Sequence, residues 1–292
     1  MWFFRLLAAG IVLLVLIYLE SIRECRNYRL TRYTLKSKKF NFTGCGREHV
    51  IVFLSDLHNH DYGDGNKKLL EDIRHIRPDL ILIGGDMLIG KKNTMPKAAS
   101  DFIRQLPTIA PVYCANGNHE QRMKEHPEWY GDIYRPYKKI LCDAGVHFLE
   151  NETTEILLDG QKISITGLEL PMETYEKFKS CRLTEKDVEK LAGKPAKNNF
   201  QILLAHNPVY FDAYKSWGAD LTLSGHLHGG VFRIPSWRGV ITPQGFLFPK
   251  YSGEMTEEDG KTIIVSKGMG THTINFRVFN PPEAVVINLV NS

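Results

Sequence analysis

Five short apolar runs, each followed within a few residues by side chains able to bind a metal ion, constrain this chain more than any other feature. They are Ile51-Val52-Phe53-Leu54 before Asp56 and His58, Leu80-Ile81-Leu82-Ile83 before Asp86, and Val112-Tyr113-Cys114 before Asn118 and His119. Gln201-Ile202-Leu203-Leu204 precedes His206, and Leu221-Thr222-Leu223 precedes His226 and His228. Runs of this length between Gly, Pro and Asp read as buried strands. In open α/β sheets, ligands bind beyond the carboxyl ends of the strands. A lone histidine is more often a packed or surface residue than a ligand. Independent chance, however, does not put seven candidate ligands on five strand ends.

Within the series, Asp56-Leu57-His58 and His226-Leu227-His228 place two ligand types two residues apart. Such side chains alternate along a continuing strand, but at a strand end the backbone turns and both can face one cavity. Gly225, Gly229 and Gly230 beside the second pair permit that turn. Between the strands, Leu69, Leu70, Ile73 and Ile76 predict a helix over 66–76, with Asn66 as N-cap and Arg77-Pro78 as its end. Further helices are expected over 96–106, 130–143 and 208–217. The βαβαβ order implies a parallel sheet with right-handed crossovers. From 146 the pattern changes to short strands over 146–149, 154–158, 162–167, 231–234, 261–267 and 284–290, with a Pro/Gly-rich stretch over 235–253. Mixed β after a βαβ core fits a two-sheet sandwich with helices outside, in one domain over 48–292.

The N-terminus is of a different kind. Residues 6–19 carry no charge, and from Trp2 to Leu19 only Arg5 interrupts the apolar stretch. As a helix those residues span about 27 Å, just enough for a hydrocarbon core of roughly 30 Å, with Arg5 snorkelling to the headgroups. No A-x-A-like cleavage site follows, so residues 1–20 are expected to be an uncleaved single-pass anchor rather than a signal peptide. Residues 21–47 are expected to form a basic juxtamembrane linker suited to anionic lipid headgroups. The positive-inside rule puts the large domain on the cytoplasmic side.

Charge and cysteine usage narrow the function classes. The net charge of +4 is carried by the N-terminus: removing residues 1–39 leaves 29 basic and 31 acidic side chains, a net of −2. Nucleic-acid binders show a basic surplus on their domain, so no nucleic-acid partner is expected. The five cysteines are odd in number and lack a C-x-x-C pair, which is not a disulfide framework. The mix of Asp, Asn and His without thiolate suits Mn, Fe or Zn, and two such ions can hold both the attacking and departing oxygens of a phosphoryl transfer.

The motif series D-x-H (Asp56, His58), G-D (Asp86), G-N-H-E (Asn118, His119, Glu120), A-H-N-P (His206) and G-H-L-H (His226, His228) resembles the calcineurin-like metallophosphoesterases. Order and spacing both match over about 48–232, and the whole chain looks like their membrane-anchored bacterial branch. The resemblance implies a four-layer α/β/β/α sandwich binding two divalent metal ions. Asp56, His58, Asp86 and His228 would hold one metal, and Asp86, Asn118, His206 and His226 the other. It further implies attack on phosphorus by a metal-bridging hydroxide, with His119 as the general acid that protonates the leaving oxygen. The implied substrates are phosphodiesters or pyrophosphates, with lipid-linked ones such as UDP-diacylglucosamine among them.

The chain departs from the protein Ser/Thr phosphatases, which carry G-D-x-V-D-R-G. Ile89 stands where their second Asp orients the catalytic histidine, and His206-Asn207-Pro208 replaces their H-G-G. That argues against a protein phosphatase and leaves the orienting partner of His119 open, Glu120 being no assured substitute. Asn59 and Arg122 are candidate substrate contacts, and His272 sits in a late loop that could reach the site. Two alternatives stand beside a membrane-anchored phosphoesterase: a nuclease or cyclic-nucleotide phosphodiesterase, and a tethered metal-binding protein without turnover.

Overall fold

The computed structural model describes residues 1–43, 48–92, 96–179, 181–196, 198–230, 233, 239–242, 245, 247–271 and 275–292. The chain opens with α1 (Trp2–Cys25) and β1 (Arg29–Ser37), followed by β2 (His49–Leu54), α2 (Lys67–Ile76), β3 (Leu80–Ile83), α3 (Lys97–Ile103) and β4 (Val112–Cys114). Next come α4 (Asn118–Glu125), α5 (Pro127–Tyr130), α6 (Tyr134–Asp143), β5 (Val146–Phe148), β6 (Glu152–Leu158) and β7 (Gln161–Leu168). The chain closes with α7 (Glu185–Ala192), β8 (Phe200–Ala205), α8 (Phe211–Trp217), β9 (Leu221–Ser224), β10 (Met255–Glu258), β11 (Lys261–Val265) and β12 (Glu283–Asn291).

These strands make two six-stranded sheets, ordered β1-β12-β2-β3-β4-β5 and β10-β11-β9-β8-β7-β6. Because side chains alternate across a strand, each apolar run feeds two cores. Ile51, Phe53, Leu80 and Leu82 point inward to meet Ile202, Leu204, Leu221 and Leu223 of the other sheet. Val52, Leu54, Ile81 and Ile83 point outward to Leu69 and Ile73 of α2, Phe102 of α3 and Leu141 of α6. On the far side, Leu203 and Ile263 pack under Val188 of α7 and Phe211, Tyr214 and Trp217 of α8. This is the expected four-layer α/β/β/α sandwich. Strands covered on both faces are mainly apolar for that reason.

The basic linker expected over 21–47 is corrected in two places. Helix α1 continues to Cys25, and Arg29–Ser37 form β1, paired parallel to β12 from Arg29↔Glu283 to Ser37↔Asn291. An edge strand tolerates charges that a central strand does not. Arg29, Arg32 and Lys36 therefore masked it, while Leu35, Phe40 and Phe42 enter the inter-sheet core. The expected 130–143 helix is interrupted between α5 and α6, at Gly131 with φ 85°. Asn66 does not cap α2 through its side chain; its Oδ1 accepts from the Tyr62 N–H instead (2.9 Å). The strand expected over 231–234 lies outside the described residues apart from Arg233, and His272 lies outside them too.

Helix α1 is long and apolar enough to cross a membrane, and none of the span that meets this test is buried. Its last turn is docked: Ser21, Glu24 and Cys25 are buried.

Candidate metal centre

Every candidate ligand follows the carboxyl end of a strand, and most sit in an unusual backbone conformation. Asp56, His58, Asp86, His226 and His228 have φ of 54°, 50°, 53°, 66° and 49°. A non-glycine residue there costs on the order of 1–3 kcal/mol and persists only where its surroundings over-determine it. Here the determinants are backbone hydrogen bonds between strand ends. Asp56 N donates to Gly85 O (2.9 Å), His58 N to Asp86 O (3.1 Å), and Gly270 N to Asp56 O (2.6 Å). The left-handed turns put both ligands of each i, i+2 pair into one cavity.

Three groups result, each bringing one atom per residue within 4.8 Å of one another: Asp56, His58 and His228; Asp86, His206 and His226; and His58, Asp86 and His119. Asp86 links them, with Oδ2 3.1 Å from His206 Nε2 and 4.0 Å from His58 Nε2. Asn118, at the start of α4, has a buried Oδ1 without a hydrogen-bond partner. His58 Nδ1 faces Leu88 O at 3.1 Å and His206 Nδ1 faces Gly84 O at 2.7 Å. Those carbonyls assign the proton to Nδ1 and leave Nε2 as a bare lone pair, the usual second-sphere arrangement around a metal.

Electrostatics points the same way. Burial opposes charge on His206, yet the carboxylates of Asp86 and Asp56 overrule it and raise its pKa to about 10. Burial likewise opposes charge on Asp86, but the His206 and His119 rings hold its carboxyl well below the usual range. The buried carboxylates thus demand positive charge, which a divalent cation supplies without protonating a ligand. Donor types, lone-pair directions and charge all fit a pair of divalent ions.

His119 borders the ligands, its ring 4.9 Å from that of His58. Gly90 N–H donates to its Nδ1 (2.7 Å), so the neutral ring carries its proton on Nε2, 3.9 Å from Asp86 Oδ2. The orienting partner left open by Ile89 is therefore a backbone amide one residue further on. Glu120 serves elsewhere, accepting from the N–H groups of Asp86 (2.7 Å), Leu88 (2.8 Å) and Gly117 (3.0 Å), which ties the two ligand loops together. Asn59 follows His58 with φ 58° and a buried Oδ1 without a partner. Arg122 is half-buried on α4, near enough to His119 that, after burial itself, its charge disfavours the protonated ring.

Three supporting residues carried no motif. The Tyr175 ring lies 5.0 Å from that of His226. Asn280 Nδ2 donates to His228 O (2.6 Å) and Gly230 O (2.9 Å). Arg277, fully buried, donates to the carbonyls of Lys267 and Gly270, each at 2.8 Å, and of Asn280 at 3.1 Å. A charged residue in the otherwise apolar Phe276–Phe279 run was the available signal for Arg277.

Gly117 is required for close approach. A Cβ there would lie 2.2 Å from Asp86 Oδ1 and 2.6 Å from Asp86 N. Gly117→Ala is expected to displace Asp86 and weaken metal binding about 10–100-fold. Metal titration of the purified variant checks this, and unchanged affinity would mean that Asp86 is not a ligand.

Comparison with known proteins agrees with this geometry. The calcineurin-like phosphoesterase family model matches residues 49–230. The metallophosphoesterase YkuE of Bacillus subtilis is 29% identical over 267 residues, covering 89% of this chain and 84% of its own. The phosphodiesterase YaeI of Escherichia coli is 26% identical, covering 82% of each. The UDP-2,3-diacylglucosamine pyrophosphatase LpxG of Chlamydia muridarum is 22% identical over 81% of this chain and 82% of its own. Among solved structures, the phosphopantetheinyl hydrolase PptH of Mycobacterium tuberculosis superposes with a TM-score of 0.46 at 16% identity, over 75% of this chain and 89% of its own.

Proposed function

The chain belongs to the calcineurin-like phosphoesterases and is a metal-dependent phosphoric ester hydrolase, and from that premise we propose that it cleaves phosphodiester or pyrophosphate bonds of substrates presented at a membrane surface. The observation that carries the chemistry is the pair of ligand clusters sharing Asp86, with the His119 Nε2 proton beside them. Asp56, His58, Asp86 and His228 would hold one divalent ion; Asp86, Asn118, His206 and His226 would hold the second. Bound there, the ions supply Lewis acidity toward phosphoryl oxygens and activate water near neutral pH.

The protein's own part is positioning and proton transfer. The Asp86 carboxylate favours the protonated ring of His119, which would give its Nε2 proton to the leaving oxygen and be left as the neutral imidazole. Asn59 and Arg122 are proposed contacts for the phosphoryl oxygens. Anchoring by residues 1–20, with the domain on the cytoplasmic side, is supported by the apolar α1, by exposed Arg23 in its last turn and by exposed Arg26 and Arg29 just beyond it. With LpxG among the relatives, a lipid-linked pyrophosphate is the substrate class to test first.

The test is hydrolysis by the detergent-solubilised chain, stripped of metal and reloaded with Mn²⁺, of bis(p-nitrophenyl) phosphate, an alkyl phosphodiester and a lipid-linked pyrophosphate. Turnover that needs the metal is expected; none on any substrate would sink the proposal. His119→Asn is expected to cost about 10²–10⁴-fold on the alkyl diester. It should cost much less on the nitrophenyl ester, whose leaving group is a stable anion needing no proton. Equal losses on both would remove His119 from the role of acid.

A further inference from the structure

Four tyrosines, Tyr175, Tyr210, Tyr214 and Tyr251, share the core beneath α7 and α8. Three of them bond their hydroxyls within the chain. Tyr210 Oη donates to Thr174 O (3.3 Å), Tyr214 Oη to Asn207 O (2.8 Å) and Tyr251 Oη to Glu258 Oε1 (3.0 Å). Tyr175 is only 4% exposed, yet its hydroxyl makes no hydrogen bond among the described residues. Buried tyrosines ordinarily find a partner for the O–H, and withdrawing a hydroxyl from water without one is destabilising. Phenylalanine would fill the same space without that loss. The Tyr175 hydroxyl is thus a donor kept for a group that the folded chain does not itself supply.

Its position says which group. The turn that carries it, Met172–Tyr175, is pinned on two sides. Thr174 O accepts from Asn207 Nδ2 (3.2 Å), and Asn207 directly follows the ligand His206. Upstream, Glu169 accepts from Lys124 Nζ at 3.0 and 2.8 Å, and Lys124 lies on α4 with His119 and Arg122. Tyr175 therefore stands between the His206 loop and the helix that bears the proposed acid. Its ring meets that of His226 edge-on at 5.0 Å and lies 6.4 Å from that of His206. The charges acting on its hydroxyl come from the same place. After burial itself, the Asp86 carboxylate does most to keep the proton on, while Arg122 opposes it. A phenol that keeps its proton is a neutral donor, suited to an anionic oxygen that a guanidinium also binds.

We propose that Tyr175 is a substrate-binding residue, its hydroxyl donating to a non-bridging oxygen of the phosphoryl group on the His206–His226 side of the centre, alongside Arg122. This rests on the phosphoesterase reading and deepens it by adding a donor that no motif marks. A residue that merely buttressed His226 would need the ring and not the hydroxyl. That difference makes the two roles separable.

Tyr175→Phe keeps the ring and removes only the oxygen. The full chain, solubilised in detergent and loaded with Mn²⁺, is compared with this variant in two ways: kcat/KM for bis(p-nitrophenyl) phosphate, and affinity for inorganic phosphate by isothermal titration calorimetry. Bound Mn²⁺ and Tm are measured on the same samples. The variant is expected to keep its metal and its Tm while phosphate affinity and kcat/KM each fall by about 10–100-fold, as for a lost hydrogen bond to a charged group. Phosphate affinity equal to wild type overturns the proposal. Loss of Mn²⁺ from Tyr175→Phe overturns it too, and makes Tyr175 a support of His226. A wild-type chain that binds phosphate but cleaves no ester fails the hydrolase reading instead, and the phosphate titration then still decides for or against Tyr175.

Discussion

Asp86→Ala is expected to lower kcat/KM for diester hydrolysis by at least about 10³-fold, some 4 kcal/mol of transition-state stabilisation, and to lower the bound metal. The size follows from how many groups meet at this carboxylate. Its Oδ2 lies 3.1 Å from His206 Nε2 and 3.9 Å from His119 Nε2, and its Oδ1 accepts the His119 backbone N–H at 2.8 Å. Alanine thus removes an anion from both ligand clusters and a support from the proposed acid in one step. Asp86→Asn keeps the hydrogen bond and the shape while losing the charge, and should fall between wild type and alanine in metal retention. Elemental analysis of both variants, run beside the rate assay and a thermal melt, separates loss of metal from loss of fold. If Asp86→Ala keeps its full metal content and more than about a tenth of the rate, the shared-carboxylate arrangement is wrong.

What could be anticipated from the sequence follows burial. Strands β2, β3, β8 and β9 are covered on both faces, so each had to be a mainly apolar run, and their ends announced the ligands. β1 has a neighbour on one side only, and its alternation of Arg29, Arg32 and Lys36 with Leu30, Tyr33 and Leu35 looked like a solvated basic tract. Helix α7 has a signal in the sequence, the capping box of Thr184 and Asp187. The orienting group of His119 had no side-chain signature at all, because it is the Gly90 amide. A backbone donor leaves no mark in the residue pattern.

Arg277→Met is the second large effect, and it reaches the site from behind. The guanidinium is buried and spans four carbonyls, those of Lys267, Gly268, Gly270 and Asn280, with Nη2 3.4 Å from His228 Nδ1. Methionine has a comparable length and no donor, so these acceptors would be left in a dry interior at about 1–3 kcal/mol each. A total loss of about 3–5 kcal/mol is expected, the range for a buried charged group whose partners are stranded. That corresponds to a fall of roughly 10 °C or more in Tm for a chain of this size. Arg277→Lys should recover little, since an ammonium cannot reach all the carbonyls that the planar fork does. The same residue joins α1 to the metal centre: its N–H is held by Ser21, and its Gly270 partner donates to Asp56 O. Arg277→Met should therefore also weaken metal binding about 10–100-fold, as losses behind a ligand do. Glu24→Ala, which cuts only the hydrogen bond to Asn280, should shift metal affinity in the same direction by less. A drop in Tm with metal affinity unchanged in both variants would confine Arg277 to folding and break the connection between the helix and the centre.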